Sequence, residues 1–85
     1  MAINRGEIRP LTRTLDRIEN DFTYHPPQGD QAERYVKIRD AAKELALLIA
    51  RNTPDSREQS VAFTKLEECS FWANAAIARN EHYSG

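Results

Sequence analysis

The chain has 85 residues, enough for one domain, and a chain this short buries only somewhat more than about 60% of its unfolded surface, so a core of its own is thin. Apolar residues make up 40% and charged residues 29%, which is too apolar for a disordered segment. A net charge of −1 excludes the broad basic excess with which general DNA- or RNA-binding domains hold a polymer.

Nine of the twelve cations are Arg and three are Lys, a bias that permits bidentate anion recognition but equally suits ion pairs on helix faces. Cys69 is the only cysteine, so no intrachain disulfide is expected and a reducing compartment fits. The opening MAINRGEIRP carries no apolar stretch of the kind a signal peptide needs, and no segment reaches membrane-spanning length.

In chain order, residues 1–21 read as an arm followed by a short helix. Ile3 and Ile8 flank Gly6 in the arm, and Leu11, Leu15, Ile18 and Phe22 recur at helical spacing, predicting a helix over roughly Pro10–Asn20. About three turns long, it is marginal alone. FTYHPPQGD then forces a loop, because Pro26 and Pro27 cannot continue a helix and Pro26 biases His25 toward extended geometry. From residue 22 to 85 the pattern predicts a long antiparallel helical hairpin. Asp30 with Glu33 signals the start of its first helix, which carries Tyr35, Ile38, Ala42, Leu45 and Ile49 as an apolar stripe. Val36, Ala41, Ala46, Leu47 and Leu48 widen that stripe beyond what one neighbour can cover.

Asn52-Thr53-Pro54 ends that helix, and Asp55 with Glu58 or Ser56 with Gln59 caps the next. It runs to about Arg79, roughly 24 residues or about 36 Å. A compact globule of this length has a radius of gyration of about 12 Å and a diameter near 31 Å, so the helix outreaches it and the hairpin must be elongated. Three stripes on this helix are small or apolar. One runs through Ala62, Leu66, Cys69, Ala73 and Ala76; a second through Phe63, Ser70, Asn74 and Ile77; a third includes Val61, Trp72 and Ala75. A helix so lined is enclosed by protein on several sides, and self-association is the economical explanation. The expected fold is therefore all-α, a short N-terminal helix plus a long hairpin, assembled as a homo-oligomer.

Several chemistries find no support. His25, His82 and Cys69 show no metal-ligand spacing, so no metal is expected. Cys69 follows Glu67 and Glu68, which disfavour a thiolate, and no nucleophile elbow or Gly-rich phosphate loop occurs; no enzyme activity and no cofactor are expected. The helices are too long, and the loops too rich in proline, for a helix-turn-helix reader of DNA.

Anion or nucleotide recognition between chains remains. Tyr24 and His25 can stack on a base from a loop stiffened by two prolines, or Tyr24 can anchor that loop. Lys37, Arg39 and Lys43 flank one helix, with Lys37 and Arg39 on different faces, and can meet phosphate or pair with Glu33, Asp40 and Glu44. Ser56 and Arg57 open the last helix, where free N–H groups favour phosphate, or Ser56 is simply its cap. Asn74 can read a base edge and Arg79 a phosphate; the alternatives are an interfacial amide bond and a solvated helix end.

The strings FTYHPP, ERY-x-x-IRD-x-AKELA, PDSREQS-x-A-x-TKLEE and FWANAAIARN resemble the hairpin-domain family of phage anti-CBASS nucleotide sponges, related to the Thoeris anti-defence sponges. The resemblance spans about residues 22–80. It implies a non-catalytic hexamer that binds cyclic dinucleotides between protomers, and in some members cyclic trinucleotides near a threefold axis or cyclised ADP-ribose signals. It also implies action in the cytoplasm of the infected bacterial host, with no DNA, RNA or membrane partner. Tyr24 would stack on a base, Lys37 or Arg39 would meet a phosphate, and Arg79 would make a second phosphate contact. The competing expectation is a non-catalytic helical adaptor that binds another protein through its small-residue stripe.

Overall fold

The computed structural model describes residues 9–81; the arm before Arg9, with Ile3, Gly6 and Ile8, and His82 in the tail lie outside the described residues. Three helices follow in order: α1 (Thr12–Asp21), α2 (Gln31–Asn52) and α3 (Arg57–Asn80). No strand occurs among the described residues. α2 packs against α3 as an antiparallel hairpin, and α1 meets only its open end.

The boundaries follow local chemistry. Gly29 has φ of 55°, a left-handed conformation that any Cβ would disfavour, and it turns the chain from the proline loop into α2. Gln31, only 4% exposed, fastens this turn. Its Oε1 accepts from Gln28 N at 2.9 Å, and its Nε2 donates to Glu81 Oε1 at 3.2 Å. Asp30 occupies the N-cap position, but its carboxylate makes no cap bond and accepts instead from Arg34 Nε at 3.1 Å. At the other end Ser56 is the cap of α3, its Oγ accepting from Gln59 N at 3.1 Å. Gln59 reaches back with Nε2 to Thr53 O and Oγ1, closing the turn between α2 and α3.

The hairpin seam consists of half-buried residues: Tyr35, Ile38, Ala42 and Ile49 from α2 against Ala62, Leu66, Ala73 and Ile77 from α3. Phe63, Ser70 and Asn74 are half-buried along the same seam, while Cys69 and Ala76 turn outward. The stripe expected through Ala62, Leu66, Cys69, Ala73 and Ala76 is thus split between the seam and the surface.

No hydrophobic side chain among the described residues is fully buried. Phe22, Phe71 and Trp72 are 87%, 65% and 67% exposed, and Leu15, Ile18, Leu45 and Leu48 lie about half in solvent. The radius of gyration is 19.0 Å against about 12 Å for a compact chain of this length, and the thinnest dimension is 14 Å. Such a shape is a single layer of helices with both faces open. Burying apolar area is the main favourable term in folding, and this layer has spent only part of what its sequence offers.

Candidate functional site

The residues singled out from the sequence fall at three separate places. At the open end of the hairpin, the last turn of α1 is fixed by two long-range contacts. The Asn20 side-chain amide donates to the Arg79 carbonyl oxygen at 2.8 Å, and Arg79 Nε lies 3.7 Å from Asp21 Oδ1. His25 joins them by donating from Nε2 to the Asn20 carbonyl oxygen at 2.7 Å. Since a carbonyl only accepts, that ring nitrogen carries the proton.

Arg79 also sits over the Trp72 indole, with Cζ 5.8 Å from the ring centroid, within cation–π range. A concavity of about 360 Å³ opens between α1 and α3 here, with Arg17, Asp21, Trp72 and Arg79 on its walls. Two guanidiniums beside an exposed indole can hold a phosphate and stack a flat ring. Tyr24, on the adjoining loop, is 80% exposed, which disfavours the loop-anchor alternative in the isolated chain.

The same end holds a group that sequence reasoning missed. Glu81, just past α3, accepts from both terminal nitrogens of Arg34, from Nη1 at 2.7 Å and from Nη2 at still closer range. These bonds to Glu81, with a further contribution from Asp30, raise the Arg34 pKa above its already high ordinary value. The spacing of Asp30 and Arg34 was readable as an i,i+4 pair; the contact to a residue 47 positions away was not.

Midway along the hairpin, one face carries a larger concavity of about 590 Å³. Its floor is apolar, formed by Ala42, Ala46 and Leu47 of α2 with Phe63, Leu66 and Phe71 of α3. Arg39 and Lys43 stand on the α2 side and Glu67 on the α3 side. Lys37 is exposed and does not line it. Asn74 Oδ1 is buried and finds no hydrogen-bond partner among the described residues.

At the closed end lie Ser56 and Arg57. The Ser56 hydroxyl is engaged on both sides, accepting from Gln59 N and donating to Pro54 O at 3.0 Å. Arg57 is exposed. From Arg57 to Arg79 the rise along α3 is about 33 Å. Tyr24, His25 and Arg79 therefore lie at one end, Lys37 and Asn74 within about two turns of it, Arg39 at the mid-hairpin concavity, and Ser56 with Arg57 at the other end. One copy cannot bring the eight together around a small molecule. Among the described residues, no group of His, Cys, Asp and Glu is placed to hold a metal ion, and no helix is long and apolar enough to cross a membrane.

A family model described as "Acb2/Tad1, hairpin domain" matches residues 14–78, which takes in most of α1 as well as nearly all of the hairpin. The match bears out the resemblance carried by the four strings and extends it upstream of residue 22. No curated protein and no solved structure matches the chain.

Proposed function

We propose that this chain, which belongs to the Acb2/Tad1 hairpin-domain family of anti-CBASS and anti-Thoeris sponges, sequesters cyclic oligonucleotide second messengers without cleaving them. The family is of a non-catalytic sponge type and points to an anti-defence role. The ligands in this reading are cyclic dinucleotides, with cyclic trinucleotides or cyclised ADP-ribose as further candidates. The setting is the cytoplasm of an infected bacterium, where removing the signal leaves the downstream effector idle.

The observation that carries the reading is the family match over a hairpin with open faces, in which no hydrophobic side chain among the described residues is fully buried. To outcompete an effector a sponge needs nanomolar affinity or better, about −12 kcal/mol. A cyclic dinucleotide has roughly 45 non-hydrogen atoms, and at about 0.3 kcal/mol each this is attainable only if most of the ligand is enclosed. A layer 14 Å thick cannot enclose it; a homo-oligomer, a hexamer in this proposal, can. Copies packed around a symmetry axis would bring Tyr24 and Lys37 or Arg39 of different protomers to one ring, with Arg79 near the axis as a second phosphate contact. Near-neutral charge suits the task, since a few aimed cations select a compact dianion while a broad basic patch would fill with RNA.

Calorimetry against a panel of cyclic di- and trinucleotides tests this. Nanomolar binding of at least one member is expected, with the ligand recovered intact after proteinase treatment. Absence of heat with every member would leave the adaptor reading, and recovery of linearised nucleotide would make the protein an enzyme.

A further inference from the structure

The α1–α3 concavity holds a carboxylate where a site for anions would be expected to have none. Arg79 is fixed there on two sides. Trp72 lies against one face of its guanidinium, and Asp21 Oδ1 stands 3.7 Å from its Nε. No hydrogen bond engages Nη1 or Nη2 among the described residues, so the outer edge of the fork is open to a ligand. Arg17 also lines the concavity. It makes no ion pair among the described residues, although Asp21 follows it by four positions on the same helix.

Asp21 contributes little as a fastener. At 3.7 Å its contact is longer than a hydrogen bond, and a half-buried pair at that distance adds little stability. The Asn20 amide holds α1 to the Arg79 carbonyl oxygen independently. What Asp21 does change is the charge count. Two guanidiniums alone suit a phosphomonoester, which carries about −1.5 to −2 at neutral pH. With Asp21 included, the charged residues lining the concavity leave one net positive charge, equal and opposite to that of one phosphodiester. The mid-hairpin concavity keeps the same balance, with Arg39 and Lys43 against Glu67.

We propose that Asp21 is a specificity-determining residue: it lets the concavity accept the monoanionic phosphodiesters of a closed ring and repels the terminal phosphomonoester of an open nucleotide chain. The inference rests on the sponge reading and deepens it, because Arg79 serves there as a phosphate contact. A phosphate on the open edge of Arg79 lies one guanidinium width from the Asp21 carboxylate. Between half-buried groups that is close enough for each further negative charge to be felt. The single charge of a diester is offset by the surplus cation, whereas the second charge of a monoester is not. A sponge needs this discrimination, since linear nucleotides share the bases and sugars of its signal and would otherwise fill it.

The test compares the full wild-type chain with Asp21→Asn and Asp21→Glu by calorimetry. α1 has no buried residue, so neither substitution threatens the hairpin. The probes are the cyclic di- and trinucleotides of the panel above, each beside its linear form ending in one phosphomonoester. Wild type is expected to prefer the ring. Asp21→Asn is expected to raise affinity for the linear form about tenfold more than affinity for the ring. Asp21→Glu keeps the charge and should keep the wild-type preference. A merely structural role would move ring and linear form together, so an equal change for both in Asp21→Asn would overturn the inference while leaving the sponge reading standing. A linear form bound by wild type as tightly as its ring would do the same. Wild type that binds no ring of the panel would remove the sponge reading and this inference with it.

Discussion

Glu81 holds the Arg34 guanidinium in a two-bond fork, joining the end of α3 to the first turns of α2 across 47 residues of sequence. Gln31 adds a third bond to the same carboxylate. The hairpin is therefore latched where it would otherwise fray, and the latch lies beside the elements that carry Tyr24, His25 and Arg79.

Glu81→Gln is expected to loosen that end without unfolding the hairpin. Amide exchange should quicken several-fold in the first turn of α2 and the last turn of α3, with little change near the Thr53–Ser56 turn. Its effect should also be flat between about pH 6 and 9. A guanidinium pKa raised on folding means that the Arg34 contribution is fully present across this range, where Glu81 is ionised, and is lost only as pH rises through the far more alkaline range in which arginine gives up its proton. A latch effect that vanishes near neutral pH would mean that another group titrates within it.

Tyr24→Ala is expected to weaken dinucleotide binding by about 1–3 kcal/mol through lost stacking. The melting temperature should hardly move, because the ring is 80% exposed. Calorimetry and a thermal melt on the same preparation separate the two effects. Unchanged affinity with a lowered melting point would make Tyr24 an anchor of the loop.

Arg79 has two employments, a contact with Asp21 and Trp72 and a phosphate contact in the proposed site. Arg79→Ala removes both, whereas Asp21→Asn removes only the ion pair. Arg79→Ala is expected to weaken trinucleotide binding more than dinucleotide binding, and Asp21→Asn to leave both unchanged or slightly stronger, since it frees the guanidinium. Equal losses from the two substitutions would show that Arg79 acts only by holding α1.

Lys37 and Arg39 are expected to separate by phenotype. Lys37→Ala should weaken dinucleotide binding about tenfold, near the 1.5 kcal/mol of one charge-assisted hydrogen bond, with assembly intact. Arg39→Ala should then leave that affinity nearly unchanged, since the two cations stand on different faces of α2 and only one meets the phosphate. The reverse pattern would place the phosphate in the mid-hairpin concavity.

Local chemistry was legible in the sequence wherever a residue acts on its near neighbours. Pro26, Pro27 and Gly29 mark the loop, Asn52-Thr53-Pro54 ends α2, and Ser56 with Gln59 starts α3. The excess of apolar surface on α2 and α3 was legible too, because periodicity counts stripes and one neighbour covers only one. What depends on distant contacts was not. Nothing in the spacing pairs Glu81 with Arg34, directs Asp30 to Arg34 rather than to the α2 N-terminus, or points Cys69 and Ala76 away from the seam that holds Ser70 and Asn74. The candidate site was legible only as residue types, since its members are spread over about 33 Å of one chain and meet, in the proposed reading, only between copies. Nor does the spacing signal that Asn74 Oδ1 is buried without a hydrogen-bond partner among the described residues.

Native mass spectrometry of the full chain at micromolar concentration, with a mixture of cyclic di- and trinucleotides, tests most directly whether separate copies build the cavity that hides the signal. Expected is a single closed homo-oligomer, six copies in the proposed assembly, carrying nucleotide at the mass of the uncleaved ring. A monomer that carries no nucleotide at any ratio of ligand to protein would contradict it.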